Sequence, residues 1–409
     1  MDKLDIIQSV KKHLGFDVEG NDIKSEIQGC VVKMTHPFIV LNWATSFSKT
    51  KPALERIGNK KTLIATSQIF HQENWLKEAI KWNVDMTSSE ICCHVSMHKH
   101  IGSWDLVIID EAHRNVEQWV NFLQQSDVKE IIILSATIPN DIKKRLYEFG
   151  KPFISTITSQ MAVDWGVLPE PEINVQFLTL DNVYRNQIYE YGKDKSKKTV
   201  ICDYNTFLKD YKYNSKKPNL KIQCTEQEWY NIHVDRMEYF KRLAIETGKP
   251  SIWNLHTQMG NKRKTFLASL KTKHVQKLIN KLKEERVVVF ANSIEQAVLF
   301  DKDAVHSKNK NGQVIIDEFN DGKRNKLISC KQLNESMNLV NPNYGIVVQL
   351  DGSKGNDTKI NISGSQKLGR IFRSDVPVLY LFVYRNTQDE NYWNDFRSTL
   401  NPNWINYIL

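Results

Sequence analysis

Asp110 and Glu111 stand side by side at the end of the apolar run Val107-Ile108-Ile109, with Ala112 and His113 after them. Such a run reads as a buried strand, and open α/β sheets collect their ligands at the carboxyl ends of their strands. Two adjacent carboxylates there can divide the work of hydrolysing a phosphoanhydride. Asp110 can hold the Mg²⁺ that bridges terminal phosphates, while Glu111 orients and deprotonates the attacking water. His113 is placed to link the pair to neighbouring segments. The competing reading is an acidic strand end whose carboxylates face solvent.

A phosphate-binding partner for this pair lies upstream. After Phe38-Ile39-Val40-Leu41 comes Trp43-Ala44-Thr45-Ser46-Phe47-Ser48-Lys49-Thr50, ending in the Lys-Thr of a phosphate-binding loop. Lys49 can reach β- and γ-phosphates, and Thr50 can ligate Mg²⁺. Ser46 and Ser48 stand where such a loop has glycine, because its amides approach phosphate closely and with unusual dihedrals. Serine there is expected to cost affinity. Pro52 suits the first turn of a following helix. Beyond the next strand-like run, Leu134-Ser135-Ala136-Thr137 puts the hydroxyls of Ser135 and Thr137 at the same sheet edge, where they can relay hydrogen bonds. Much later, Gln366-Lys367-Leu368-Gly369-Arg370-Ile371-Phe372-Arg373 spaces Arg370 and Arg373 one helical turn apart, so both can address one phosphate. A catalytic arginine typically contributes about 10³ to 10⁵ in rate. Alone, each segment reads as an ordinary turn or surface helix; their order along the chain makes them a set.

The elements that must position these residues are legible as apolar runs. Phe38 to Leu41, Thr62 to Ala65, Leu106 to Ile109 and Glu130 to Leu134 are separated by helix-length amphipathic stretches, the pattern of a parallel sheet buried on both faces. Within Gln72 to Ile80, the residues Trp75, Leu76, Ala79 and Ile80 are expected to form one apolar stripe of a helix. A second series of strands is expected at Arg286 to Phe290, Val314 to Ile316, Lys326 to Ile328, Gly345 to Val348 and Val378 to Val383. The fold class is therefore α/β with two lobes, over residues 1–160 and 285–409. Residues 161–284 form a linker, with extended chain forced by Pro169 and Pro171, and an inserted, mainly helical middle region. The charge run from Lys193 to Lys198 reads as a loop.

A chain of 409 residues exceeds what one hydrophobic core usually serves, and 41% hydrophobic with 25% charged residues excludes wholesale disorder. Lysine and arginine exceed the acids by 56 − 47 = +9, which favours a polyanionic partner, although a solvated basic surface gives the same count. The six cysteines include no C-x-x-C pair, so free thiols in a reducing compartment are expected, without structural zinc. Charges interrupt the first residues, and no apolar run reaches bilayer length; the expectation is a cytoplasmic protein with no membrane segment.

In order and spacing, the set resembles the superfamily 2 helicases of the DEAD/DEAH-box type, over most of the chain except the middle region. Thr62 to Trp82 is similar to the family's second strand and helix. Ser96-Met97-His98-Lys99 resembles a nucleic-acid-contacting segment, and Val287 to Ser293, with His306-Ser307 beyond, resembles the opening of the second lobe. Leu333 to Leu339 resembles a segment reading Glu-Gly-x-Asn in relatives, with Ser336 for glycine. The resemblance implies two RecA-like parallel-sheet lobes with ATP and Mg²⁺ in the cleft. It places Ser46, Ser48, Lys49, Thr50, Asp110, His113, Ser135 and Thr137 on the nucleotide, Thr50 and Asp110 on the metal, and Glu111, Gln366, Arg370 and Arg373 in catalysis. It also implies nucleic acid across both lobes, with DNA favoured over RNA, and a monomer serving replication or recombination proteins. The compact form resembles phage-encoded helicases, which act in host cytoplasm. The family's adenine-contacting glutamine has only Gln28 as a candidate.

The function expected is thus ATP-dependent helicase or translocase activity; the alternatives are a catalytically weakened nucleic-acid-binding scaffold and a remodelling ATPase that does not unwind. In the middle region, Gly260 to Lys264 and Lys271 to His274 can follow phosphates. Trp229, Tyr230, Tyr239 and Trp253 can stack on bases but are read first as the core of a helical layer.

Overall fold

The computed structural model describes residues 1–192, 196–212, 217–330, 339–351 and 362–408. The glycine-poor segment at Leu333 to Asn338, with Ser336, and the first part of the charge run at Lys193 lie outside them. Strands β1 (Phe38–Trp43), β2 (Thr62–Thr66), β3 (Ser89–Cys93), β4 (Ser103–Asp110), β5 (Asp127–Ser135) and β6 (Phe153–Ile157) form one six-stranded parallel sheet in the order β3-β2-β4-β5-β1-β6. Alternate residues enter different cores: Ile39, Leu41, Ile108 and Ile132 pack on one face, Phe38, Val40, Ile109 and Ile133 on the other. Both faces are covered by helices, which is why these runs are continuously apolar.

The chain continues through β7 (Glu172–Leu178), a small sheet of β8 (Gln187–Tyr191), β9 (Thr199–Asp203) and β10 (Asn219–Cys224), then β11 (Val287–Ala291), β12 (Lys326–Cys330), β13 (Tyr344–Val347), β14 (Val378–Tyr384) and β15 (Ile405–Ile408). The second large sheet is again six-stranded and parallel, in the order β12-β11-β13-β14-β7-β15. Its fifth strand, β7, comes from the stretch read as linker, and β15 from the last residues. Val314 to Ile316 is not a strand but part of the helix Gly312–Asn320: Ile315, Ile316 and Phe319 are buried while Val314 is 57% exposed, a helical rather than alternating pattern. The stripe expected in the helix Ile69–Lys81 narrows to Trp75 and Ala79, with Leu76 47% and Ile80 80% exposed.

The middle region is built on a helical pair, Glu226–Thr247 and Pro250–Leu270, beside the three-stranded sheet β8-β10-β9. Thr225 caps the first helix reciprocally, its hydroxyl accepting from Glu228 N at 3.1 Å and its own N–H donating to Glu228 Oε2 at 2.9 Å. Gly248, with φ +65°, ends that helix in the left-handed conformation, and Pro250 starts the next. Trp229 stacks on Phe266 with centroids 3.8 Å apart, and Tyr230 is buried, as core aromatics should be; Tyr239 and Trp253 are exposed. Lys271, read as following phosphates, is instead buried and ion-paired with Asp389 at 2.7 Å. All six cysteines are free, and no helix among the described residues is long and apolar enough to cross a membrane.

Candidate active site

Because the first sheet is parallel, the carboxyl ends of β1, β4 and β5 share one edge, with Asn42 beside Ser135 and Asp110 beside Leu134. The chain leaving β1 turns back at once: Ala44 N donates to Ile157 O at 2.7 Å and Phe47 N to Ala44 O at 3.2 Å, with Phe47 buried against Trp43. Ser46 and Ser48 have φ of +76° and +62°. The backbone demands the left-handed conformation at the two places where a phosphate loop carries glycine, and serine adopts it at a cost of about 1–2 kcal/mol per residue. Gln28 donates from Nε2 to Phe47 O and Ser48 O, and Lys24 to Ser46 O at 3.3 Å, which braces the strained turn. Ser48 is exposed, so Ser48→Gly is expected to stabilise the protein by up to about 1 kcal/mol. Chemical denaturation checks this, and a lower midpoint for the variant contradicts it.

The loop delivers Lys49, whose Nζ donates to Trp43 O at 3.0 Å, and Thr50, the first residue of the helix Thr50–Glu55. Opposite them, both oxygens of Asp110 are tethered: Oδ1 accepts from Glu111 N at 2.9 Å and Oδ2 from the Trp75 indole N–H at 3.0 Å. Burial, and then the charge of Glu111, push Asp110 up to about 6. Glu111 feels burial most, but His113, Lys49, His71 and Arg370 together outweigh it and hold Glu111 below the usual carboxylate range. The two neighbouring carboxyls are thereby driven apart in acidity, as expected where one serves as a ligand and the other as a base. Glu111, at φ +52°, aims a buried Oε2 that has no hydrogen-bond partner among the described residues, with His113 Nδ1 3.3 Å away.

The second lobe closes over this edge. Gln366 and Arg370 lie on the helix Ile362–Ile371, and Arg373 follows in the turn beyond. Ser46 donates its hydroxyl to Gly369 O at 2.5 Å, and a Cβ at Gly369 would collide with the Thr45 side chain, so glycine there lets the lobes meet. Between them lies a cavity of about 600 Å³ lined by Ser46, Ser48, Lys49, Thr50, Asp110 and Glu111 from the first lobe and by Gln366, Arg370 and Arg373 from the second. Gln366 is buried, and its Nε2 donor has no partner among the described residues. Desolvation, then repulsion from Arg370, lowers Arg373, and desolvation lowers Lys49 and Lys24. The cleft thus gathers desolvated cations, Lys24, Lys49 and Arg373, around a buried carboxyl pair of which Asp110 is pushed up, an arrangement that suits a polyanion carrying a metal ion.

Three expected residues do not line this cavity. His113 contacts Ser135 Oγ at 3.1 Å, and Ser135 Oγ also accepts from Thr137 N at 3.2 Å and donates to Thr137 O at 2.7 Å. They form a hydrogen-bonded set next to Glu111. Conversely, Lys24, His71 and Trp75 line the cavity without having been singled out as site residues. His71 is pushed down to about 4, chiefly by burial. Trp75 carried the signal in plain view, but an indole in an apolar stripe reads as core, and its N–H is spent on Asp110.

Residues 270–375, about a quarter of the chain, match the helicase conserved C-terminal domain. Among solved structures, S. cerevisiae Dbp5 bound to RNA and ADP BeF3 is similar over 98% of this chain and 93% of that one, with 10% identity and a TM-score of 0.57. The Pyrococcus furiosus Hef helicase domain is similar over 91% and 97%, with 11% identity and a TM-score of 0.44. No curated protein matches the chain. The Dbp5 likeness is one of fold: the two six-stranded sheets are RecA-like lobes, and the second is helicase-like in sequence as well.

Proposed function

We propose that this chain is a nucleic-acid-stimulated ATPase of the superfamily 2 helicase kind, which moves along or unwinds a strand as its lobes close and open. The observation that carries this reading is the single cavity in which Lys49, Thr50, Asp110 and Glu111 face Gln366, Arg370 and Arg373 across the two lobes. Lys49 binds the β- and γ-phosphates, at the end of the turn Ser46 to Ser48 that takes the place of a phosphate loop. Thr50 and Asp110 fit a divalent cation, because both line the cavity and Asp110 is a buried carboxyl that burial and Glu111 push up; Mg²⁺ would supply charge neutralisation on the phosphates when bound. Glu111 takes the proton of the attacking water, with the uncommitted Nε2 of Gln366 available to orient that water or an oxygen of the terminal phosphate. Arg370 and Arg373 neutralise charge as it develops on the transferred group. Since these two arginines come from the second lobe, the closed arrangement binds nucleotide better than the open one, and hydrolysis releases it.

The neighbour of like fold holds RNA and ADP BeF3, so a nucleic-acid strand and a nucleotide are the ligands proposed here, with DNA the strand that the sequence resemblance favours. Phosphate release measured with single-stranded DNA, duplex DNA and RNA at two salt concentrations tests this. Stimulation that weakens with salt is expected, as phosphate contacts dominate such binding, and Lys49→Ala should abolish it. Turnover no higher than that of Lys49→Ala under every condition would leave a binding scaffold. Strand displacement measured alongside separates an unwinding enzyme from a remodelling one.

A further inference from the structure

The middle region contains a second cavity, of about 610 Å³, away from the cleft between the lobes and within the range of roughly 300–1,000 Å³ that small ligands occupy. Its aromatic wall comes from Tyr191 at the end of β8 and from Tyr239 and Phe240 on the helix Glu226–Thr247. Arg236, one turn back from both, lays its guanidinium over the Tyr191 ring at 4.4 Å and donates to the Tyr189 hydroxyl at 3.0 Å. Its Nε is buried without a hydrogen-bond partner among the described residues. Lys217 approaches the same ring at 4.4 Å. Of the two lining carboxylates, Asp235 is taken by Lys212 at 2.6 Å, which leaves Arg236, Arg242 and Lys217 against Glu238. The wall is therefore aromatic and the rim net positive. This is not the packing of a core: Trp229, Phe266 and His233 stack tightly beside it, whereas Tyr239 stays 54% exposed.

We propose that this cavity binds one base of a single-stranded nucleic acid against Tyr239 and its neighbours, with Arg236 and Arg242 on the flanking phosphates, giving the middle region its own grip on the strand. Every base has a face that can stack on an aromatic ring, and cations follow the backbone, so the contact is tolerant of sequence. A duplex has its base faces already stacked and is excluded. The identity of the ligand rests on the proposed function; the cavity and its charge do not.

Binding of fluorescent oligothymidylate and oligouridylate, followed by anisotropy without nucleotide, tests the proposal. Tyr239→Ala is expected to weaken binding about tenfold and Tyr239→Phe to restore it. Arg242→Gln is expected to reduce the salt dependence by about one phosphate contact. ATP turnover without nucleic acid should be unchanged in all three variants. Binding by Tyr239→Ala equal to wild type for both oligonucleotides, or no binding by wild type, overturns the proposal. The two readings fail separately: a wild type that binds through Tyr239 but hydrolyses no ATP removes only the ATPase, and stimulated turnover with binding indifferent to Tyr239 removes only this site.

Discussion

Glu111→Gln is expected to leave nucleotide binding intact while lowering ATP turnover by about 10²- to 10⁴-fold, the range a positioned general base contributes. The substitution is nearly isosteric, and glutamine tolerates φ of +52° no worse than glutamate, so the backbone has no new reason to move. What disappears is the acceptor for the water's proton and one negative charge facing the site. Losing that charge relieves repulsion against a polyanion, so a fluorescent nucleotide should bind as tightly as to wild type, or tighter. Phosphate release then reports the base alone. Turnover within threefold of wild type would sink the assignment of Glu111, and weakened binding with unchanged turnover would move it to the binding set.

The sequence made the sheets and the cleft-facing motifs legible for one reason: both are written in short range. Apolar runs such as Val107 to Ile109 announce buried parallel strands, and their polar successors fall at the carboxyl edge without further information. Ser46 and Ser48 looked like departures from a glycine pattern, and the structure gives them the positive φ that pattern demands. Contacts set by tertiary placement were not legible. Val314 to Ile316 is too short an apolar run to separate strand from helix by period, and only the burial of Phe319 three residues on decides it. Lys271 reads as a surface cation among its neighbours Thr272 and Lys273, yet it donates to Val348 O at 3.0 Å and Gln349 Oε1 at 3.1 Å and pairs with Asp389, partners far away in sequence. Lys24 and Trp75 enter the site by the same route, from elements whose local pattern records packing only.

Arg370→Ala is expected to reduce turnover by about 10³-fold or more with less than a tenfold change in nucleotide affinity. Arg370 reaches the cleft only because Gly369 lets its helix lie against Thr45 and accept the Ser46 hydroxyl, so its position depends on the lobes being together. An arginine delivered by closure would act where charge develops during transfer, whereas Lys49, carried by the first lobe, would be available to phosphate before closure. The loss should therefore fall on kcat. Arg370→Lys should rescue poorly, since a point charge cannot reproduce the guanidinium fork. Arg373, held below the usual guanidinium range by burial and by Arg370, is relieved of its neighbour in the variant and can substitute in part for charge but not for position. Single-turnover phosphate release beside equilibrium nucleotide titration separates the two effects. A tenfold or smaller loss of rate, or a loss confined to affinity, would make Arg370 a binding residue and move the arginine-finger assignment to Arg373.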